Sequence, residues 1–374
     1  MQNYPVELLQ SMLETYSPSG SEHKLAKLLY DQMATHGFKV RTDQVGNVIG
    51  EIGEGGPHIL FCGHMDTVSG EIPVQREGDL LYGRGAVDAK ASLAAMLIGS
   101  YQAAQGSNIP FRLTLAAVVD EERSSGGVKA LIAEGGSYDL AVFGEPSGAS
   151  NIVIGYKGSV HINVTCSTKG GHSASPWLSK SSFEEAFKFW KTLRNSLLEN
   201  ESPSKFNVLT GCVTSAVAGN PGNTIPSHAT LEIDIRIPPS LRAAEAATKI
   251  EAFLERYQKS SPEVLFHTTF KEPCEPYLAN QSSSAVRAFR WAIKDTIGGS
   301  VSLVKKTGTS DMNLLAQSCA IPMIAYGPGD SSLDHTEEER ISVREYLDSI
   351  SVYSKAIQKF ISLARPPSMV STAM

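Results

Sequence analysis

Cysteine is scarce in this chain. There are five in 374 residues, at Cys62, Cys166, Cys212, Cys274 and Cys319, and no two form a Cys-x-x-Cys pair. That odd, scattered set excludes a disulfide framework and a thiolate zinc site, and fits reduced thiols in a cytoplasm. No apolar run approaches the length of a membrane span, and the first residues lack the basic, then apolar, then small-residue order of a secretory signal. A cytoplasmic protein without membrane association is therefore expected. Lys/Arg-rich runs are missing too, the formal net charge is −6 and the pI is about 5.9. Nucleic acid is not expected as a partner, because phosphate binding needs a concentrated positive face. What is present is the composition of a globular protein, 41% hydrophobic and 19% charged, in a chain longer than one ordinary core supports.

The pattern along the chain changes twice. Helical spacing over 5–16 stops at Ser17-Pro18-Ser19-Gly20, and a second helix begins near Glu22. Short strands are predicted at 38–42 and 47–52, a buried strand at His58 to Cys62, a hairpin at 72–82 and an Ala/Leu/Met-rich helix at 88–104. Continuous apolar strands at Leu113 to Val119 and Leu140 to Phe143 imply a covered, mostly parallel sheet. From Gly158 the strands alternate with period two, as in Val160 to Cys166 and Ala229 to Ile235, with helices at 181–198 and 240–258. A strand, helix, strand, strand, helix, strand order describes a small α+β, ferredoxin-like unit. The expected organisation is an α/β domain of residues 1–157 and 273–374 with that unit, 158–272, inserted. The tail from Arg365-Pro366-Pro367 is expected to be disordered.

Acids and histidines recur at the ends of the apolar strands: His64 and Asp66, Asp88, Asp120-Glu121-Glu122, Glu145 and, near the C-terminus, His335. In open α/β sheets such ends face a shared crevice, and two imidazoles among carboxylates suit zinc or cobalt. Singly, each has an ordinary reading. His64 could be a satisfied histidine, Asp88 a helix cap, 120–122 a solvated turn, Glu145 a helix-start acid, and His335 half of a surface pair with Asp334. Together, three consecutive acids at the mouth of a buried sheet repel unless cations compensate them. On an extended segment His64 and Asp66 project to one side, so that Asp66 can orient the imidazole.

The ordered series Ser17-Pro18-Ser19-Gly20, Gly63 to Val68, Gly83-Arg84-Gly85-Ala86-Val87-Asp88, Asp120-Glu121-Glu122, Gly144-Glu145-Pro146-Ser147, Gly171-His172-Ser173-Ala174, Asn223 to Pro226, Asp234-Ile235-Arg236, Gly308 to Asp311 and His335 covers nearly the whole chain. It resembles the di-zinc amidohydrolases, the family of acetylornithine deacetylase, succinyl-diaminopimelate desuccinylase, aminoacylases and carboxypeptidase G-type enzymes. The resemblance implies two Zn²⁺ per subunit, with Co²⁺ able to substitute. His64, Asp88 and Glu145 would hold one ion and Asp88, Glu122 and His335 the other, with Asp88 bridging. Glu121 would be the general base, with Asp66, orienting His64, as a further catalytic residue. The inserted unit would be a dimerisation or lid domain, with His172 reaching across a homodimer to the reacting carbonyl. Arg236 would clamp a substrate carboxylate, and Asn223, Thr309 and Ser310 would bind substrate.

Within this family, Gly70 to Val74 followed by Tyr82 to Gly85, and Lys306 to Asn313 with Ala325 to Asp330, look most like the hydrolases that release lysine or ornithine from LysW, an acidic amino-group carrier protein. The scissile amide there joins the amino acid's α-amino group to the side chain of the carrier's C-terminal glutamate, in lysine and arginine biosynthesis. An acetylornithine deacetylase or succinyl-diaminopimelate desuccinylase-like deacylase is the alternative. A reading of another class is a non-catalytic metal- or amino-acid-binding module, which would be expected to have lost a ligand or the base. An acidic carrier calls for a basic docking face; Lys157, Lys169, Lys180, Lys305 and Lys306 could form one, or could be ordinary solubilising lysines.

Overall fold

The computed structural model describes residues 3–106, 110–219, 222–271 and 273–364, so the tail from Arg365 lies outside the described residues. Within them the chain forms two compact units, one from residues 3–154, 279–304 and 314–364, the other from Gly155–Leu278 and Lys305–Asn313. The second unit thus differs from the expected 158–272 by starting at Gly155, ending at Leu278 and taking in Lys305–Asn313. The reason is hydrogen bonding: Asn313 Nδ2 donates to the carbonyls of Lys157 (3.2 Å) and Glu275 (2.8 Å), and the Lys157 N–H donates to Lys306 O.

In the first unit the sheet runs Lys39–Thr42, Val48–Ile52, Arg112–Val118, His58–His64, Leu140–Gly144, Met323–Tyr326 and then the start of Asn151–Tyr156. The four middle strands are parallel and the outer pairings antiparallel. Every residue of His58–His64 and Leu140–Gly144 is buried, which is why both read as unbroken apolar runs. The parallel arrangement carries the C-terminal ends of 58–64, 112–118 and 140–144 to one edge, and His64, Glu121, Glu122 and Glu145 follow from those ends.

The helix Lys90–Gly106 is buried on all sides from Lys90 to Ser100 and packs against the C-terminal helix Val343–Ala364. Gly99 makes that approach possible, since a Cβ there would lie 2.7 Å from the Tyr353 side chain and 2.9 Å from the Ile350 carbonyl. Gly99→Ala is therefore expected to destabilise by roughly 1–3 kcal/mol through overpacking, read as a lower thermal midpoint with unchanged secondary structure. An unchanged or higher midpoint would show that the two helices separate without cost.

The second unit is a four-stranded antiparallel sheet in the order Thr210–Ala218, His228–Ile237, Gly158–Ser167, Leu265–Phe270. In chain order this is the ferredoxin-like strand, helix, strand, strand, helix, strand arrangement. Val160, Ile162, Val164 and Cys166 face its core, opposite Ala186, Phe189 and Leu193 of one helix and Ala246, Ile250, Phe253 and Tyr257 of the other. Periods of two and of three to four thus meet in one layer of contact.

Candidate metal centre

The first unit gathers His64, Asp88, Glu122 and His335. His64 Nε2 lies 3.2 Å from Asp88 Oδ1, His335 Nε2 is 3.2 Å from Asp88 Oδ2, and the same nitrogen is 3.0 Å from Glu122 Oε1. Donor atoms of His64, Asp88 and Glu122 all fall within 4.8 Å of one another. Asp88 therefore offers one oxygen to each imidazole, the disposition a bridging carboxylate needs. Glu145 stands two residues beyond Phe143, and His64 two beyond Cys62, the last registered pair of those parallel strands. The donor set of imidazole nitrogen and carboxylate oxygen, with two histidine Nε2 atoms turned inward, fits zinc or a similar divalent cation.

The electrostatics point the same way, because this pocket recruits positive charge. Burial disfavours a charged His64 ring, yet its contacts with Asp66 and Asp88 outweigh that and hold it well above the usual histidine range. Hydrogen bonds to Asp88 and Glu122 push His335 up to about 10. Burial would raise the Asp88 carboxyl, but the two imidazoles bring it well below the ordinary carboxylate range. A divalent cation entering here would displace the imidazole protons and take their place among the carboxylates.

Asp66 organises the neighbourhood. Its contact with His64 runs through the backbone: the His64 Nδ1–H donates to the Asp66 carbonyl at 2.8 Å, while the carboxylate lies 3.6 Å away. That makes Nδ1 the protonated nitrogen of the neutral ring and leaves the Nε2 lone pair, on the Asp88 side, to face a cation. The carboxylate itself accepts from the backbone N–H groups of Glu121 and Glu122, both at 3.0 Å, and from Ser19 Oγ at 2.7 Å. Burial works against the charge, but these donors and His64 hold the carboxyl down at about 2.

The three acids at 120–122 do not act as a group. Asp120 has φ +63° and turns its carboxylate to Ser124 Oγ, and its N–H donates to the buried Glu22 at 3.2 Å. The left-handed turn at Asp120 separates it from Glu121 and Glu122, whose N–H groups face Asp66. Repulsion among three converging carboxylates is thus not a feature of the site. Glu22, which also accepts from the Gly20 N–H at 3.0 Å, carried no local signal of this role beyond its place at a helix start.

The remaining candidates belong to the second unit. His172 is exposed, and its strand pairs with Thr224–Ile225. The carbonyl of Asn223 accepts from the Ser173 N–H at 3.0 Å, so His172 and Asn223 lie at one end of the same two-stranded pairing. Arg236 spends Nε and Nη2 on Asp234, at 2.9 and 2.8 Å, and points Nη1 at Thr309 Oγ1 at 3.4 Å. Ser310 is buried, with its hydroxyl accepting from the Met312 N–H at 3.3 Å to start the helix Asp311–Ser318. Lys157 leaves the candidate docking rim altogether. It is fully buried, donates to Lys205 O, Val208 O and Thr210 Oγ1, and burial pushes its ammonium down to about 8. Lys180 is paired with Glu263 and Glu185, and Lys305 sits 5.3 Å above the Phe206 ring.

Residues 60–359 match the peptidase family M20/M25/M40. A Pyrococcus abyssi protein named as a candidate LysW-lysine/LysW-ornithine hydrolase is 34% identical over 95% of this chain and 93% of its own length. The LysW-lysine hydrolase of Deinococcus radiodurans is 31% identical over 95% of this chain and 96% of its own. Among solved structures, the aminopeptidase PepT of Bacillus cereus superposes with a TM-score of 0.81 at 20% identity, covering 96% of this chain and 99% of that one. The chain therefore belongs to the M20/M25/M40 peptidase family and is a metal-dependent hydrolase.

Proposed function

We propose that this protein is a cytoplasmic di-zinc amide hydrolase that releases lysine or ornithine from the C-terminal glutamate side chain of an acidic LysW-like carrier. The observation that carries the substrate class is near full-length similarity, in both chains, to relatives bearing that name. The chemistry is supported by the inward-facing set of His64, Asp88, Glu122 and His335. Asp88 would bridge two cations, one held with His64 and Glu145 and the other with Glu122 and His335. Zinc, or cobalt in its place, supplies Lewis-acid polarisation of a water and of the amide carbonyl when bound.

The chain's own groups carry the protons. Glu121 takes one from the attacking water as the oxygen adds to the amide carbon, and returns it to the leaving α-amino nitrogen when the C–N bond breaks. Asp66 holds the Glu121 backbone and the His64 ring in fixed relation. Arg236, steered by Asp234, supplies its remaining edge to the carboxylate of the released amino acid, with Thr309 and Ser310, while Asn223, bonded beside His172, binds substrate together with that histidine. The test is incubation of purified protein and Zn²⁺ with lysine-loaded or ornithine-loaded carrier. Free amino acid should appear as the carrier returns to its unloaded mass. Cleavage of free N-acetylornithine with the loaded carrier left intact would overturn the carrier reading in favour of a deacetylase.

A homodimer is part of the same reading, with His172 contributed from the partner copy. It is supported by large apolar side chains exposed in the segment that follows His172: Trp177 (77%), Leu178 (75%), Phe183 (50%) and Phe187 (58%). Phe183 and Phe187 lie one turn apart on one helix face. Phe187→Glu is expected to convert the protein to a monomer by light scattering, with the fold retained by circular dichroism. Persistence of the dimer in that variant would place the interface elsewhere.

A further inference from the structure

We propose that Glu339, clamped by Arg84, is a positioning residue that fixes Asp88 and the His335 segment relative to one another. This rests on the reading above, in which Asp88 bridges and His335 completes the second cation position. Glu339 is 1% exposed and Arg84 5%. Glu339 Oε1 accepts from the backbone N–H groups of Val87 (2.9 Å) and of Asp88 itself (3.0 Å). Its Oε2 accepts from Gly85 N–H (3.0 Å) and Arg84 Nη1 (2.9 Å). One side chain thus holds three amides of the turn that ends in Asp88, with no water needed to complete either oxygen.

Arg84 extends the clamp. Its Nη1 also donates to the Thr336 carbonyl at 2.9 Å, next to His335, and its Nε donates to Gly70 O at 2.8 Å. His335 has φ +64°, a backbone setting that L residues adopt only when their surroundings hold them there. The short strand Arg340–Ser342 pairs with Leu80–Tyr82, and the Gly83 N–H donates to Glu339 O, which sets the carboxylate against the 85–88 turn. Gly85 is required within that turn, because a Cβ would lie 2.9 Å from Lys90 Cδ and 3.0 Å from Thr67 Cγ2.

A carboxylate buried this way meets its desolvation cost through an arginine and three amides, and it stands among the groups that orient a metal ligand without touching the metal. Purely structural bracing would also fit the burial, so the test reads metal affinity separately from stability. Metal-free protein is titrated with Co²⁺, followed by visible absorption and calorimetry, alongside thermal unfolding and kcat at limiting and excess metal. Wild type is expected to take two equivalents. Glu339→Gln keeps the shape but gives one oxygen pair's donors an amide NH₂ to face. It should retain cooperative unfolding and the first equivalent, while the second weakens by about 10–100-fold and kcat recovers with excess metal.

Glu339→Asp keeps the charge opposite Arg84 but cannot span both oxygen pairs, and should shift the second equivalent in the same direction. That variant serves if the glutamine substitution fails to fold. Two wild-type-affinity equivalents and unchanged kcat in a folded variant, whatever its thermal midpoint, would overturn the positioning role and leave the dinuclear reading intact. A wild-type protein that takes up no Co²⁺ would overturn both.

Discussion

Glu121→Gln is expected to lower kcat and kcat/KM together by about 10²–10⁴-fold, the usual size of a lost general base. The substitution keeps the shape of the side chain and the N–H bond from residue 121 to Asp66, so the backbone geometry of the site has no reason to change. Metal content, KM and thermal midpoint should therefore stay near those of the wild type. The measurement is steady-state turnover of the loaded carrier with elemental analysis on the same preparation. Wild-type turnover in the variant would remove Glu121 from the reaction. A variant that loses metal as well as activity would show that its carboxylate serves as a ligand.

The second large effect is expected at Asp88. Its two oxygens face the two imidazoles, each at 3.2 Å, so one substitution shortens both proposed ligand sets at once. Asp88→Ala should leave at most one weakly held equivalent of metal and a loss of turnover at least as great as that for Glu121→Gln. Chelation of the wild-type protein should give the same inactive state, and re-addition of Zn²⁺ or Co²⁺ should reverse it in the wild type alone. Two tightly bound ions in Asp88→Ala would contradict a bridging carboxylate. The comparison also separates ligation from proton transfer, since only one of the two variants should remain fully loaded.

Some of this architecture was legible in one dimension. The strands His58–His64 and Leu140–Gly144 announced themselves as unbroken apolar runs because both faces are covered, and the inserted sheet by alternation because one face is not. His64 and Glu121-Glu122 were legible as candidates because they follow directly from such strands, where a parallel sheet must open. Asp120 was grouped wrongly with its neighbours. Its left-handed turn depends on Glu22, about a hundred residues earlier, and on a hydroxyl four residues later. Lys157 looked like one more surface lysine, and only closure of the second unit shows its ammonium enclosed by Lys205, Val208 and Thr210.

Local pattern alone determined the secondary structure, the covered parallel sheet, the alternating inserted sheet and the shortlist of acids and histidines at strand ends. Periodicity and burial are short-range consequences of residue type. Tertiary structure decided which of those side chains meet, that Asp66 bonds His64 through its carbonyl, and that Glu339 reaches back some 250 residues to the Asp88 turn. A polar side chain's role is set by the partner it finds on burial, and at such separations no spacing rule along the chain names that partner.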